Sequence, residues 1–327
     1  MDTATHFVIG LSIAGLSSID QTVVSEPALS QAILFGTLIG SQAPDFDGIS
    51  RLWGGTSKYI KTHRGITHSI PAVFVWPTLI ALILNIFYPN VTFSHLWFWT
   101  FLSVFTHIFL DIFNAYGTQA LRPLSHKWIS VNVLNIFDPF VFSVHITGII
   151  FWKQHIITSA NIFLAVFTLT LFYLLWRIWL QNKTLKKLRL EYHLKGKLNL
   201  LPTIKQNTWN IIHETEDKFN IGVIANNKLE WLESKIKTDS QKIIEASKKD
   251  KKVQAFLHVT SYAYQEWKKT SFGYEVRFTD LRYRFNNHYP FLAIVLLDES
   301  LKIIDSYAGW VYKEKKINKK IHSLLGE

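Results

Sequence analysis

The first 180 residues alternate long apolar runs with short polar loops. Four runs are long and apolar enough to cross a bilayer, given the roughly 20 residues a spanning helix needs: 70–88, 95–113, 137–152 and 157–180. Two weaker stretches, 5–19 and 28–43, are rich in Gly, Ala and Ser, and either span as tightly packed helices or lie partly in the interface. Trp97, Trp99, Trp152, Trp176 and Trp179 stand near segment ends, as an interfacial aromatic belt does, which argues against one large soluble helical core.

Beyond residue 200 the period changes. Stretches within 208–227, 274–285, 288–300 and 301–312 alternate or run apolar and break at Asn-Asn, Asn-Asn-His and Asp-Glu-Ser, which predicts antiparallel strands with short turns. Residues 228–258 read as helical. The predicted fold class is therefore an α-helical polytopic membrane domain with four to six transmembrane helices, followed by a small soluble α+β domain. The expected domains are 1–182, a basic juxtamembrane linker at 183–200, and 201–327.

Charge sharpens that division. Residues 1–182 carry 8 Lys and Arg against 7 Asp and Glu, a net of +1, whereas residues 183–327 carry 27 against 17, a net of +10. The run containing Lys183, Lys186, Lys187, Arg189, Lys195 and Lys197 is expected to stay cytoplasmic and to form an interfacial helix on anionic lipid. Counting back one helix at a time puts loops 114–136 and 41–69 on the same side, in agreement with Arg51, Lys58, Lys61 and Arg64. The start has no basic region and no evident cleavage site, so a cleaved signal peptide is not expected. Without cysteine there are neither disulfides nor thiolate ligands.

The apolar half also holds polar residues that are expensive in hydrocarbon: His6, Asp45, Asp47, His63, His68, His107, Asp111 and Asp138. By the helix count, all of them gather near one membrane face. His63-Arg64-Gly65-Ile66-Thr67-His68-Ser69 precedes an apolar helix; its histidines can share an ion if Gly65 lets the chain fold tightly, or can be loop residues with Thr67 or Ser69 as a cap. Arg64 adds a planar fork suited to phosphate or carboxylate. In His107-Ile-Phe-Leu-Asp111, the spacing of four puts both side chains on one helical face, as two ligands, as ligand and orienting partner, or as a hydrogen-bonded pair. Asp45 and Asp47 follow Pro44 and can bridge cations or sit in a solvated turn. His6 reads as ligand or capping residue; Asp138, before Pro139, reads as a helix cap. His95, His126, His145 and His155 read as interface or loop histidines. Neither a Gly-x-Ser-x-Gly, a P-loop nor a dinucleotide fingerprint occurs, which argues against a serine hydrolase, an NTPase or a Rossmann enzyme. Arg277, Arg282 and Arg284 alternate with aromatic residues as a solvated strand face would, and a nucleic-acid partner is not expected.

The order Thr5-His6, Pro44-Asp45-Phe46-Asp47, His63-Arg64-Gly65-Ile66-Thr67-His68-Ser69, His107-Ile-Phe-Leu-Asp111, Tyr116-Gly117 and Arg122-Pro123 resembles the YdjM family of bacterial membrane-bound metal-dependent hydrolases, over roughly residues 1–180. That family is in turn distantly similar to the zinc-dependent phospholipase C and P1 nuclease class, whose helical His-x-x-x-Asp element His107 and Asp111 resemble. The later His-x-x-x-Glu pair of that class has no clear match here. The resemblance implies a hydrolase of the bacterial inner membrane that uses a divalent transition metal, zinc first. On this reading His6, Asp45, His63, His68, His107 and Asp111 are ligand candidates, and Arg64 and Asp47 are catalytic candidates. Membrane lipids are the partners, and a lipid or lipid-linked phosphate is the substrate class. The alternative is a metal-binding membrane protein without catalysis, either a transporter or an anchor for the C-terminal domain.

Overall fold

The structure is a computed structural model and describes residues 1–49, 64–155, 157–238, 241–285, 287–313, 316–317, 321 and 324. The chain divides into two compact units, and residues 1–47, 64–188 and 200–209 make up the first.

Seven helices of the first unit are named here: α1 (Thr3–Leu16), α2 (Gln21–Ser25), α3 (Pro27–Gly40), α4 (Ile70–Phe87), α5 (Phe93–Asp111), α6 (Pro139–Gln154) and α7 (Ser159–Glu191). Among the described residues, three helices are long and apolar enough to cross a membrane: α4, α5 and α7. That is fewer than the four to six read from the sequence. Helices α1 and α3 have 14 residues each, about 21 Å of helix against roughly 30 Å of hydrocarbon. Helix α6 stops after 16 residues, where His155 turns left-handed at φ 54°. More than half of each long apolar stretch is left uncovered by protein, as lipid-facing helices require.

Helix α5 shows how the sequence sorts its faces. Leu96, Trp99, Thr100, Ser103, Val104, His107 and Asp111 recur at spacings of three and four and are buried, whereas Phe98, Phe105 and Phe109 on other faces are exposed. Thr100 and Ser103 of the inward stripe are small where α3 approaches closely. A Cβ on Gly36 would overlap the Thr100 hydroxyl, and the Ser103 hydroxyl donates to the Thr37 carbonyl at 2.6 Å. The polar residues of α5 therefore face protein, and its last turn delivers His107 and Asp111 into the unit.

Between α5 and α6 the chain is irregular but pinned. Val131 N–H donates to the Ile112 carbonyl at 2.8 Å, and Val133 N–H to the Phe113 carbonyl at 2.9 Å. From α7, Arg177 donates to the Val133 carbonyl at 2.8 Å and Gln181 to the Asn132 carbonyl at 2.8 Å, so backbone groups of a buried loop find partners. Gly117 has φ 66°, and a Cβ there would overlap the Ile129 carbonyl oxygen, so the turn requires glycine. Asp138 caps α6, accepting from Phe140 N–H and Val141 N–H at 3.0 and 3.2 Å, as its sequence context predicts. His145 departs from its interface-or-loop reading. It is buried within α6, with Nδ1 2.8 Å from the Ser12 hydroxyl and Nε2 3.3 Å from the Thr170 hydroxyl, and it joins α1, α6 and α7.

The later residues form two four-stranded sheets in the orders β1-β2-β3-β4 and β5-β6-β7-β8. The strands are β1 (Lys197–Pro202), β2 (Thr208–Glu214), β3 (Lys218–Ala225), β4 (Lys228–Ile236), β5 (Ala263–Thr270), β6 (Gly273–Asp280), β7 (Phe291–Leu297) and β8 (Ile303–Trp310). Helices α8 (Gln241–Ser247) and α9 (Lys251–Val259) precede the second sheet. The apolar run of β7 is buried on both faces, with Ala293 and Val295 in one core with Val253 and Phe256, and Ile294 and Leu296 in another with Val311 and Ile317. Two expectations need correction. Residues 228–236, read as the start of a helix, pair antiparallel with β3, from Lys228 opposite Ala225 to Ile236 opposite Lys218. The basic run at 183–189 is the end of α7 rather than a separate interfacial helix, and β1 already begins at Lys197.

Candidate metal centre

Three elements of the first unit bring four side chains together at one end of α5. The chain leaving α3 turns into a short 3-10 segment, Ala43–Ile49, that presents Asp45; the turn Ile66–His68 presents His68; and α5 presents His107 and Asp111. The Asp45 Oδ1 atom lies 3.6 Å from His68 Nε2 and 3.8 Å from His107 Nε2, and Asp111 Oδ2 lies 3.4 and 3.7 Å from the same two nitrogens. Both imidazoles are fully buried and Asp45 is 24 % exposed. These separations are too long for hydrogen bonds. They start within and extend somewhat beyond the roughly 3.3–3.6 Å that separates donors held about 2.0–2.2 Å from a tetrahedral ion. All four donor atoms lie within 4.8 Å of one another.

The outer contacts explain why these nitrogens carry lone pairs. His107 Nδ1–H donates to the Ser41 carbonyl at 2.6 Å, and a carbonyl can only accept, so Nε2 is the basic nitrogen. The Thr67 hydroxyl donates to Asp47 Oδ2 at 2.9 Å, so His68 Nδ1–H, 3.1 Å away, donates to Thr67 Oγ1 and leaves the lone pair on Nε2. Burial works against ionisation of Asp45, and the charge of Arg64 favours it. Two imidazole lone pairs and two carboxylates thus face one another in a buried space. A cation held there would balance that arrangement, and imidazole with carboxylate suits divalent transition metals.

Asp111 is shared. Its Oδ1 lies 3.3 Å from His6 Nε2, accepts from Asn114 Nδ2 at 3.1 Å and contacts the Met1 amino group; its Oδ2 pairs with Arg64 Nη2 at 3.2 Å. His6 stacks on His107 with centroids 3.7 Å apart, and Met1 N is 2.9 Å from His6 Nε2. Arg64 is held at φ 59°, its N–H donating to Asp47 Oδ2 at 2.9 Å and its carbonyl accepting from Gln119 N–H at 3.0 Å. Its guanidinium reaches Asn114 Oδ1 at 3.2 Å and lies over the Tyr116 ring.

Of the residues predicted from the sequence, the structure brings Asp45, His68, His107 and Asp111 together, with His6 against Oδ1 of Asp111 and Arg64 paired with its Oδ2. His63 lies outside the described residues. His6 is not a cap, because Asp2 caps α1 and accepts from Thr5 N–H at 3.0 Å. Asp47, named as catalytic, faces Thr67 and the Arg64 backbone instead, and so orients His68 through one hydroxyl. Neither Thr67 nor Ser69 caps α4 with its side chain. Sequence reasoning missed Asn114 altogether. Its signal was available, since it stands three residues beyond Asp111 and continues the His107-x-x-x-Asp111 spacing.

Residues 1–184 match the family model described as YdjM inner membrane protein, and residues 242–321 match the YfhP C-terminal alpha/beta plait domain. A Bacillus subtilis (strain 168) protein described as "Uncharacterized protein YfhP" is 41 % identical over 327 residues, covering 98 % of each chain. No solved structure matches the chain. The helical unit that holds the His and Asp cluster is the part that the first of these models covers, and the chain is a membrane protein belonging to the YdjM inner membrane protein family.

Proposed function

We propose that the protein is a membrane-embedded metal-dependent hydrolase acting on a phosphoester, with a lipid or lipid-linked phosphate as its substrate class. The observation that carries this reading is the meeting of His68 Nε2, His107 Nε2, Asp45 Oδ1 and Asp111 Oδ2 at 3.4–3.8 Å, with both imidazole tautomers set by outer hydrogen bonds. A divalent ion held there supplies Lewis acidity and a water acidic enough to act as nucleophile near neutral pH. Arg64 then binds and orients substrate. Its Nε–H has no hydrogen-bond partner among the described residues, while Asn114 and Asp111 fix the rest of the fork, so it offers a directed donor to a phosphoryl oxygen. The site stands where α5 ends and polar loops begin, which is headgroup depth and favours an amphiphilic substrate. A purified, zinc-loaded protein is expected to hydrolyse a phospholipid or a chromogenic phosphodiester and to lose that activity with a chelator. Stoichiometric metal without turnover on any such ester would leave the second reading, a metal-binding membrane protein without catalysis. The count of four protein donors favours that alternative, because structural zinc sites are closed by four protein ligands.

The proposed orientation is multi-pass, with loop 41–69 and the C-terminal domain cytoplasmic. It rests on the six basic residues between Lys183 and Lys197 and on the helix count, which requires α6 to cross with only 16 residues. The chain has no native cysteine, so Ser57→Cys and Gly326→Cys variants each report one position. Both are expected to react with an impermeant maleimide only after cells are opened. Labelling from opposite sides would reverse the side assigned to the metal-site loop.

A further inference from the structure

Asn114 lies outside the donor set, yet every hydrogen-bonding atom of its amide is engaged around it. Nδ2 donates to Asp111 Oδ1 at 3.1 Å, while Oδ1 accepts from Arg64 Nη1 at 3.2 Å and from the backbone N–H groups of Tyr116 and Gly117 at 2.9 and 3.1 Å. The residue is fully buried. Its backbone is fixed as firmly, since the carbonyl accepts from the Ser130 hydroxyl at 2.5 Å and the residue bridges to Leu134. The contacts determine which end of the amide is which: the backbone N–H groups and the guanidinium can only donate, so the oxygen faces them and the NH2 faces the carboxylate.

We propose that Asn114 is a positioning residue for the metal centre, setting the rotation of the Asp111 carboxylate and the place of the Arg64 guanidinium with one amide. Asp111 must present one oxygen toward His68 and His107 and the other toward His6, and the carboxylate turns freely about its last bond unless something holds an oxygen. Asn114 Nδ2 holds Oδ1. The same amide's oxygen accepts from Arg64 Nη1 while Arg64 Nη2 pairs with Asp111 Oδ2 at 3.2 Å, so Asn114 fixes the guanidinium and the carboxylate relative to each other. Partners of ligands that act in this way typically change metal affinity by about 10- to 100-fold when removed. The inference rests on the reading of the cluster as a metal centre.

The test separates this role from simple capping of the turn at 114–117. Asn114→Ser keeps a short oxygen that can accept from Tyr116 and Gly117 N–H as a serine turn does, but reaches neither Asp111 nor Arg64. Asn114→Ala removes both functions. Cobalt(II) and zinc affinities of the detergent-purified full chain would be measured by competition with a chromophoric chelator, together with the cobalt d–d spectrum and the unfolding temperature of the metal-free protein. Both variants are expected to bind either ion at least tenfold more weakly and to show a shifted cobalt band. Asn114→Ser should unfold, metal-free, close to the wild-type temperature. Wild-type affinity and an unchanged cobalt band in Asn114→Ser would overturn the positioning role while leaving the metal centre standing. Failure of the wild-type chain to bind either ion would overturn both. If Asn114→Ala does not fold, Asn114→Ser alone decides.

Discussion

Replacing His68 and His107 together by alanine is expected to lower the transition-metal content of the purified protein by much more than half. Each residue contributes an Nε2 lone pair held in place by a second contact, Ser41 for His107 and Thr67 for His68. Two carboxylates alone, Asp45 and Asp111, hold a borderline ion such as zinc far less tightly than they do with two imidazoles. Metal analysis of the wild-type and double-variant proteins after the same purification gives the answer. His145→Ala is the matched control, because His145 is as buried but, among the described residues, bonds the Ser12 and Thr170 hydroxyls and no residue of the cluster. Stoichiometric metal in the double variant would remove both histidines from the site, and equal loss in the control would mean that folding, not ligation, had been damaged.

Arg64→Lys is expected to leave expression and metal content near wild type and to reduce hydrolysis of an identified phosphoester by about tenfold or more, a loss of roughly 1.4 kcal/mol or greater in transition-state stabilisation. Lysine keeps the charge beside Asp111 and can still form that ion pair. It has no planar fork, so it cannot hold Asn114 and Asp111 through two fixed N–H groups as Arg64 does. Backbone contacts of position 64 to Asp47 and Gln119 do not depend on the side chain, which is why the fold should survive. Turnover equal to wild type would take Arg64 out of the mechanism. Loss of metal together with turnover would mean that its planar fork serves to place the ligand carboxylate.

Much of the site was readable because its residues are costly in apolar sequence. Buried His and Asp among membrane-length runs demand a compensating partner, and the i,i+4 spacing of His107 and Asp111 already places them on one helical face. Asp45 and Asp47 show where reading along the chain stops. Both follow one proline turn and are chemically identical, so nothing local distinguishes a ligand from an orienting residue. Only the return of the chain at Arg64–His68 gives Asp47 its partners Thr67 and Arg64, and leaves Asp45 to the imidazoles. His145 was misread for a related reason. A histidine in an apolar segment looks interfacial until Ser12, 133 positions earlier, is brought within hydrogen-bond reach.

In the second half, β7 was legible because a seven-residue apolar run is long enough for a strand buried on two faces. The strand β4 was not: Glu230, Glu233 and Lys235 give Lys228–Ile236 a charge pattern that suits a helix surface as well as an exposed strand, and pairing with β3 decides between them. The sequence by itself therefore determined what local chemistry and periodicity control: the apolar helices, the change of period after residue 200, and the residue types able to bind a metal. The tertiary structure decided what depends on contacts across the chain: which carboxylate turns inward, which nitrogen of each imidazole keeps its lone pair, and that Asn114 joins Asp111 to Arg64. Hydrogen-bond direction is set by the partner, and those partners lie 17 to 66 positions away from Arg64, Thr67, Asn114 and His107.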